Sequence, residues 1–224
     1  MHPLGIRQEI IDRVMARRGR VHWFDRLEAA KSALVAIDMQ GTFCAPGGPA
    51  EVPGARGIVP NINRLSAGLR KLRCPVIWVL HANTQRHGKS DWPLFFDHVV
   101  AAEVRARTIE SLEPGRQAVW SGLETAAEDL VVVKNRYSAL VPGSSTLERV
   151  LRSLGVDTLF IAGTKTNVCC ESTARDAMML DFKVVLVSDC CAALSDEEHR
   201  ATLETHIQQF GDVMTADEVL RVLS

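Results

Sequence analysis

Six short runs of apolar residues, each followed by polar residues and separated from the next by a longer segment, constrain this chain more than any other feature. The runs are "ALVAID" (33–38), "PVIWVLH" (75–81), "DLVVVK" (129–134), "DTLFIAG" (157–163), "KVVLVSD" (183–189) and a shorter one near "GDVMT" (211–215). They are nearly continuous in Val, Ile and Leu rather than alternating, as strands covered on both faces must be. Segments with helical periodicity fall near 58–72, 144–154, 167–181, 196–209 and 216–223. This succession predicts an α/β fold, a three-layer α/β/α doubly wound arrangement around a mostly parallel six-stranded sheet. With 224 residues, 46% of them apolar, the chain has material for one domain with a sizeable core. That domain is expected at 26–224, preceded over 1–25 by a helical extension carrying Ile6, Ile10, Ile11 and Val14. The connection from 82 to 128 also departs from the pattern, and long connections often carry function. Its Trp92, Phe95 and Phe96 are candidates to line a pocket or to cover a neighbouring subunit.

Charge narrows the partners. The 26 basic and 27 acidic side chains nearly cancel, which argues against nucleic acid or an anionic membrane as a partner. The first residues lack the apolar core of an export signal, and no run is long enough to span a bilayer, so a soluble cytoplasmic protein is expected. Of the six cysteines, 169 with 170 and 190 with 191 are adjacent in sequence, and adjacent residues are poor disulfide partners. Free thiols are therefore expected. The C-x2-C spacing of zinc sites does not occur, so no metal is expected.

In an open parallel sheet, ligands sit beyond the carboxyl ends of the strands. Asp38, His81 with Asn83, Lys134, the segment "GTKTNVCC" and Asp189 stand at those ends. Each alone has an ordinary reading as a turn residue, a solvated strand end or a core thiol. Together a carboxylate, an ammonium and a thiol reach one rim from separate strands, where the two charges compensate each other's desolvation and act on the sulfur. Helix geometry separates the two thiols of 169–170. With Thr166 or Asn167 as the cap, Cys170, Ala174 and Ala177 form a small-residue stripe suited to the core. Cys169 is turned about 100° away. It sits in the first helical turn, where free N–H groups favour a thiolate and then an oxyanion, and is the candidate nucleophile.

"AIDMQGTFC", "VVVKNRYS" and "GTKTNVCCESTARDA" together resemble the isochorismatase-like cysteine hydrolases, from about Ala33 to the C-terminus. The resemblance implies the isochorismatase-like hydrolase fold, with Cys169 as nucleophile, Asp38 as proton shuttle and Lys134 as the residue that orients and tunes both. It further implies a cis peptide between Thr164 and Lys165, and an oxyanion hole made by the backbone N–H groups of Lys165 and Cys169. No cofactor is implied, and homodimers or homotetramers are expected.

Within that family, the segments 134–156 and 166–179 look most like the ureidoacrylate amidohydrolase and N-carbamoylsarcosine amidase branch. That likeness implies hydrolysis of a C–N bond in a small amide or ureido compound. Gln40, Asn83, Trp92, Arg136 and Tyr137 are then the candidates to contact substrate. Metal-binding nicotinamidases carry histidines after the first strand, and "QGTFCAPGGPAEVPGARG" has none, leaving His81 and His87 to be read as loop or pocket residues. His199 and His206 read as surface or interface residues. The competing readings are a vinyl-ether hydrolase, which needs no thiol, a nicotinamidase-like amidase, and a non-enzymatic thiol or redox protein, which needs neither Asp38 nor Lys134.

Overall fold

A computed structural model describes residues 5–87 and 89–223. In chain order its elements are α1 (Gln8–Arg18), β1 (Ser32–Ile37), the short α2 (Gly41–Cys44), α3 (Val59–Lys71), β2 (Val76–His81), β3 (Gln85–Arg86), β4 (Lys89–Ser90), α4 (Pro93–His98), α5 (Ala102–Ser111) and β5 (Leu130–Lys134). There follow α6 (Leu147–Ser153), β6 (Thr158–Thr164), α7 (Glu171–Met179), β7 (Lys183–Ala192), α8 (Asp196–Gln209), β8 (Asp212–Met214) and α9 (Ala216–Val222). Six strands form one sheet in the order β5-β2-β1-β6-β7-β8, with every neighbouring pair parallel. Helices cover both faces, so the expected three-layer fold is present.

Alternate residues of each central strand feed different cores, which is why the runs read as continuously apolar. Val35, Ile37, Val79 and Ile161 pack on one side with residues of α1, α6, α7 and α8. Leu34, Ala36, Trp78 and Phe160 pack on the other with residues of α3 and α9. Burying both sets removes them from water at about 25 cal/mol per Å² of apolar surface. Capping boxes start the last two helices: Ser195 with Glu198 opens α8 and Thr215 with Glu218 opens α9.

The extension is tied down along its length, although its first four residues lie outside the described ones. Ile10 and Val14 of α1 are buried in the core against α8. Arg7 grips Glu204 of α8 through Nε at 2.9 Å and Nη2 at 2.6 Å. His22 Nδ1 lies 2.9 Å from Asp212 Oδ1, and the Trp23 N–H donates to Asp212 Oδ2 at 2.8 Å. The reading of His199 and His206 as surface or interface residues is corrected, because both are buried, His199 against Thr166. Burial pushes the His206 ring down to about 3, so it is neutral. The connection 82–128 is likewise not a plain loop, since it holds the β3–β4 hairpin, α4 and α5. Among the described residues, no helix is long and apolar enough to cross a membrane.

Candidate active site at the sheet rim

The site begins with three adjacent strand ends. Asp38 directly follows β1 and takes the left-handed conformation, with φ 56°, which Asp tolerates better than most residues. Its own N–H donates to the Val79 carbonyl at 2.8 Å, which fixes it against β2. Lys134 ends β5 and is in register with His81 at the end of β2. Because β2 stands between β5 and β1, the ammonium must reach across it. Lys134 Nζ donates to Asp38 Oδ2 at 2.9 Å and to the Arg136 carbonyl at 3.0 Å, and lies 3.2 Å from His81 Nδ1. Asp38 and Lys134 have no exposed side-chain surface.

The sulfur arrives from the other side, on β6. There Gly163 pairs with Ile37 of β1 and has φ 114°, and a Cβ at this position would collide with the Ile37 carbonyl oxygen. Only glycine allows this approach. The next peptide, Thr164 to Lys165, is cis. The chain then enters a five-residue π-helical turn, Thr166–Cys170, before α7, an irregularity that recurs at functional sites.

This turn corrects one expectation. Neither Thr166 nor Asn167 caps a regular helix: Lys165 holds the cap position without a side-chain bond, and Thr166 Oγ1 instead meets His199 Nδ1 at 2.9 Å. The division between the two thiols holds nonetheless. Cys170, Ala174 and Ala177 are fully buried, with Cys170 Sγ 3.8 Å from the Ala162 carbonyl. Cys169 lines a cavity, and its sulfur feels the charges of both Asp38 and Lys134.

Electrostatics sets the resting protonation. Burial pushes the Asp38 carboxyl up, against the pull of Lys134 and Cys169. Burial opposes the Lys134 charge too, yet Asp38 and then Cys169 outweigh it and hold this ammonium above the usual lysine range. Burial and then the Asp38 charge push the Cys169 thiol up to about 12 despite Lys134. At neutral pH the proton therefore rests on sulfur, with an ionic Asp38–Lys134 pair beside it. The helix start does not deliver a preformed thiolate.

His81 is the residue that sequence reading undervalued. Burial and then Lys134 drive its ring well below the usual histidine range, so it stays neutral. Its Nε2 lies 2.8 Å from Asn83 Oδ1. The tautomer with hydrogen on Nε2 donates to Asn83 and presents Nδ1 as an acceptor to Lys134. All three ammonium hydrogens thus have acceptors. Strand register alone announces this contact, since His81 and Lys134 end neighbouring strands.

The cavity holds about 260 Å³, and its lining includes Cys169, Lys165, His81 and Tyr137 from the rim. Of the five residues expected to contact substrate, Tyr137 lines it and the other four do not. Gln40 braces β1 against β2: its Oε1 accepts from His81 N–H at 2.7 Å, while its Nε2 donates to the His81 carbonyl and to Gln117. Asn83 is spent on His81, Asp91 and the Asn135 carbonyl. Arg136 donates to the Asn135 and Asp91 carbonyls and lies over the Trp92 ring. Trp92 backs the wall, stacked between His81 at 6.0 Å and Phe95 at 4.7 Å. Phe95 lines the cavity and Phe96 is buried. Among the described residues, no three His, Cys, Asp or Glu side chains are placed to share a metal ion.

Known proteins show the same architecture and overlapping sequence. A cysteine hydrolase from Pseudomonas syringae pv. phaseolicola superposes with a TM-score of 0.75 at 29% identity, over 91% of this chain and 96% of that one. A ureidoacrylate amidohydrolase from Variovorax paradoxus is 30% identical, over 87% of this chain and 82% of its own length. A protein named a probable inactive nicotinamidase, from Arabidopsis thaliana, is 34% identical over 77% of this chain and 86% of its own. The isochorismatase domain model matches residues 32–218, which takes in every strand of the sheet, and the chain accordingly belongs to the isochorismatase family of hydrolases.

Proposed function

We propose that this protein is a cysteine-dependent amidohydrolase that cleaves a C–N bond of a small amide or ureido compound through a thioester. The observation that carries the reading is the meeting of Asp38 and Lys134 beneath Cys169, which lines a cavity, with the proton on sulfur and a carboxylate beside it to take it. Similarity to an amidohydrolase over most of both chains supports it.

In this mechanism Asp38 accepts the Cys169 proton as sulfur attacks the carbonyl carbon, forming the S–C bond and an oxyanion. The N–H groups of Lys165 and Cys169 stabilise that oxyanion. Collapse breaks the C–N bond, and Asp38 passes its proton to the leaving nitrogen. Water then adds to the thioester, giving a proton to Asp38, and the departing sulfur takes that proton back. Lys134, held by Asp38, His81 and the Arg136 carbonyl, keeps the Asp38 side chain aimed at sulfur and favours its ionised form between proton transfers. Tyr137, on the cavity wall, contacts the substrate's polar end.

The test is ammonia release from a panel of amides and ureido compounds by the wild type, Cys169→Ala and Cys170→Ala. Loss in Cys169→Ala alone supports the hydrolase. Turnover of a vinyl ether that survives Cys169→Ala, or thiol exchange lost equally in both variants, overturns it. We further propose a homodimer or homotetramer, which a single-protomer mass in light scattering contradicts.

A further inference from the structure

Past the sulfur, the cavity is walled mainly by hydrocarbon. Phe43, Val99, Val100, Val104, Leu112 and Leu194 supply much of the lining. Of its polar residues, Glu51, Thr108 and His81 are committed to the protein itself, and Tyr137 and Lys165 stand near the sulfur. Glu51 is held by Arg56 at 2.8 Å and by the Gly47 N–H at 2.7 Å, so the cavity keeps a carboxylate in its own wall. The Thr108 hydroxyl donates to the Val104 carbonyl at 2.9 Å, and both His81 nitrogens are engaged.

The guanidinium of Arg136, the natural clamp for an acidic substrate, is turned onto two backbone carbonyls and the Trp92 ring. Lys165 is the cationic residue of the lining, and it belongs to the turn that carries Cys169 rather than to the wall built by residues 95–112. A carboxylate pressed against that wall loses its hydration and gains no partner there, in a cavity whose lining already includes the Glu51 carboxylate. An alkyl or aryl group there loses only unfavourable contact with water, a gain of about fourfold in affinity for each methylene buried.

We propose, resting on the amidase reading of this site, that the part of the substrate remote from the scissile bond is an uncharged alkyl or aryl group. Ureido acids that carry a carboxylate then fall outside its preferred range. The geometry makes the segment 95–112 the determinant of that preference, with Val104 on α5 at the surface where the two chemistries part.

Matched pairs test this: pentanamide against succinamic acid, and N-butylurea against 3-ureidopropionic acid. For each, kcat/KM of the wild type is measured, and binding to the Cys169→Ala protein is followed by calorimetry. The neutral member of each pair is expected to win by at least about tenfold, with about a fourfold gain per methylene from propanamide to pentanamide. Val104→Arg should bring the acidic members to parity. Preference for the acids, no gain with chain length, or no binding of any neutral member overturns the proposal. If the neutral members bind Cys169→Ala tenfold better but the wild type turns none of them over, the amidase reading fails and the apolar preference stands.

Discussion

The rim of the sheet and the 95–112 wall face each other across one cavity but are built in opposite ways. At the rim, Asp38, His81 and Lys134 are buried, and each is held by neighbours that strand register fixes. In the connection, α4 and α5 begin without side-chain caps, and Leu94 and Val99 are 70% and 64% exposed. In the proposed mechanism, the groups that move protons over short distances are placed by the sheet, where a small displacement is costly. Groups that only choose a partner sit on a segment whose side chains change without disturbing the core.

The difference should show first in turnover. Cys169→Ala is expected to lower kcat/KM by more than about 10³-fold. Val104→Ala, on the opposite wall, should cost less than about tenfold, by the area of the apolar contact it removes. Cys170→Ala serves as the control at the rim, keeping most turnover. Equal losses at 169 and 104 would erase the distinction between the walls.

Stability should separate them next. Lys134→Met leaves the Asp38 carboxylate buried without its partner and is expected to cost about 3–5 kcal/mol in urea unfolding. Adding Asp38→Asn should return much of that loss. Leu94→Ser, at an exposed position in the connection, should stay within about 0.5 kcal/mol.

The pH profile sharpens the account of the rim. In the proposed mechanism Asp38 acts only when ionised, and burial raises its pKa, so activity should fall as pH drops through a value above the usual carboxylate range. Below it the fall should be about tenfold per pH unit. Because Cys169 is pushed up to about 12, its alkylation by iodoacetamide should keep rising past pH 10, where an ordinary thiol has levelled off. Mass spectrometry of the labelled peptide reads this directly. A plateau for Cys169 near pH 7 would show a preformed thiolate instead.

A smaller effect is expected from His81. His81→Ala removes one acceptor from Lys134 and should lower kcat about tenfold with KM little changed, the size of one hydrogen bond to a charged group. His81→Asn, which can still offer an oxygen to the ammonium, should recover part of the loss. A change in KM alone would make His81 a wall residue rather than a positioning one.

Strand positions were readable to within a residue or two, save that β7 runs on to Ala192 and leaves Asp189 inside the strand, because continuous apolar runs have one economical explanation, two cores on opposite faces. Asp38, Lys134 and Cys169 stood out because chemistry-bearing side chains at strand ends converge in this topology. Other features left no periodic trace. The width of the π turn lies in its hydrogen bonding, and α4 is only six residues long and opens on Pro93. Burial of His199 and His206 depends on how α8 packs against the π turn and β7, which the helix's own sequence does not announce. Gln40, Asn83 and Arg136 were read as substrate contacts because a polar side chain at a rim serves ligand or framework equally well, and sequence does not say which. Here the framework takes them.

Gly163 carries a consequence for anyone redesigning this protein. A hydrogen atom in place of a methyl group lets β6 lie close enough to Ile37 for the thiol to reach Asp38, its proposed base, at the end of the adjoining strand. Substitution there would pry nucleophile and carboxylate apart while leaving both intact, so a chain with every reactive group in place would be chemically silent. The lightest residue in the fold sets the tolerance of its reaction.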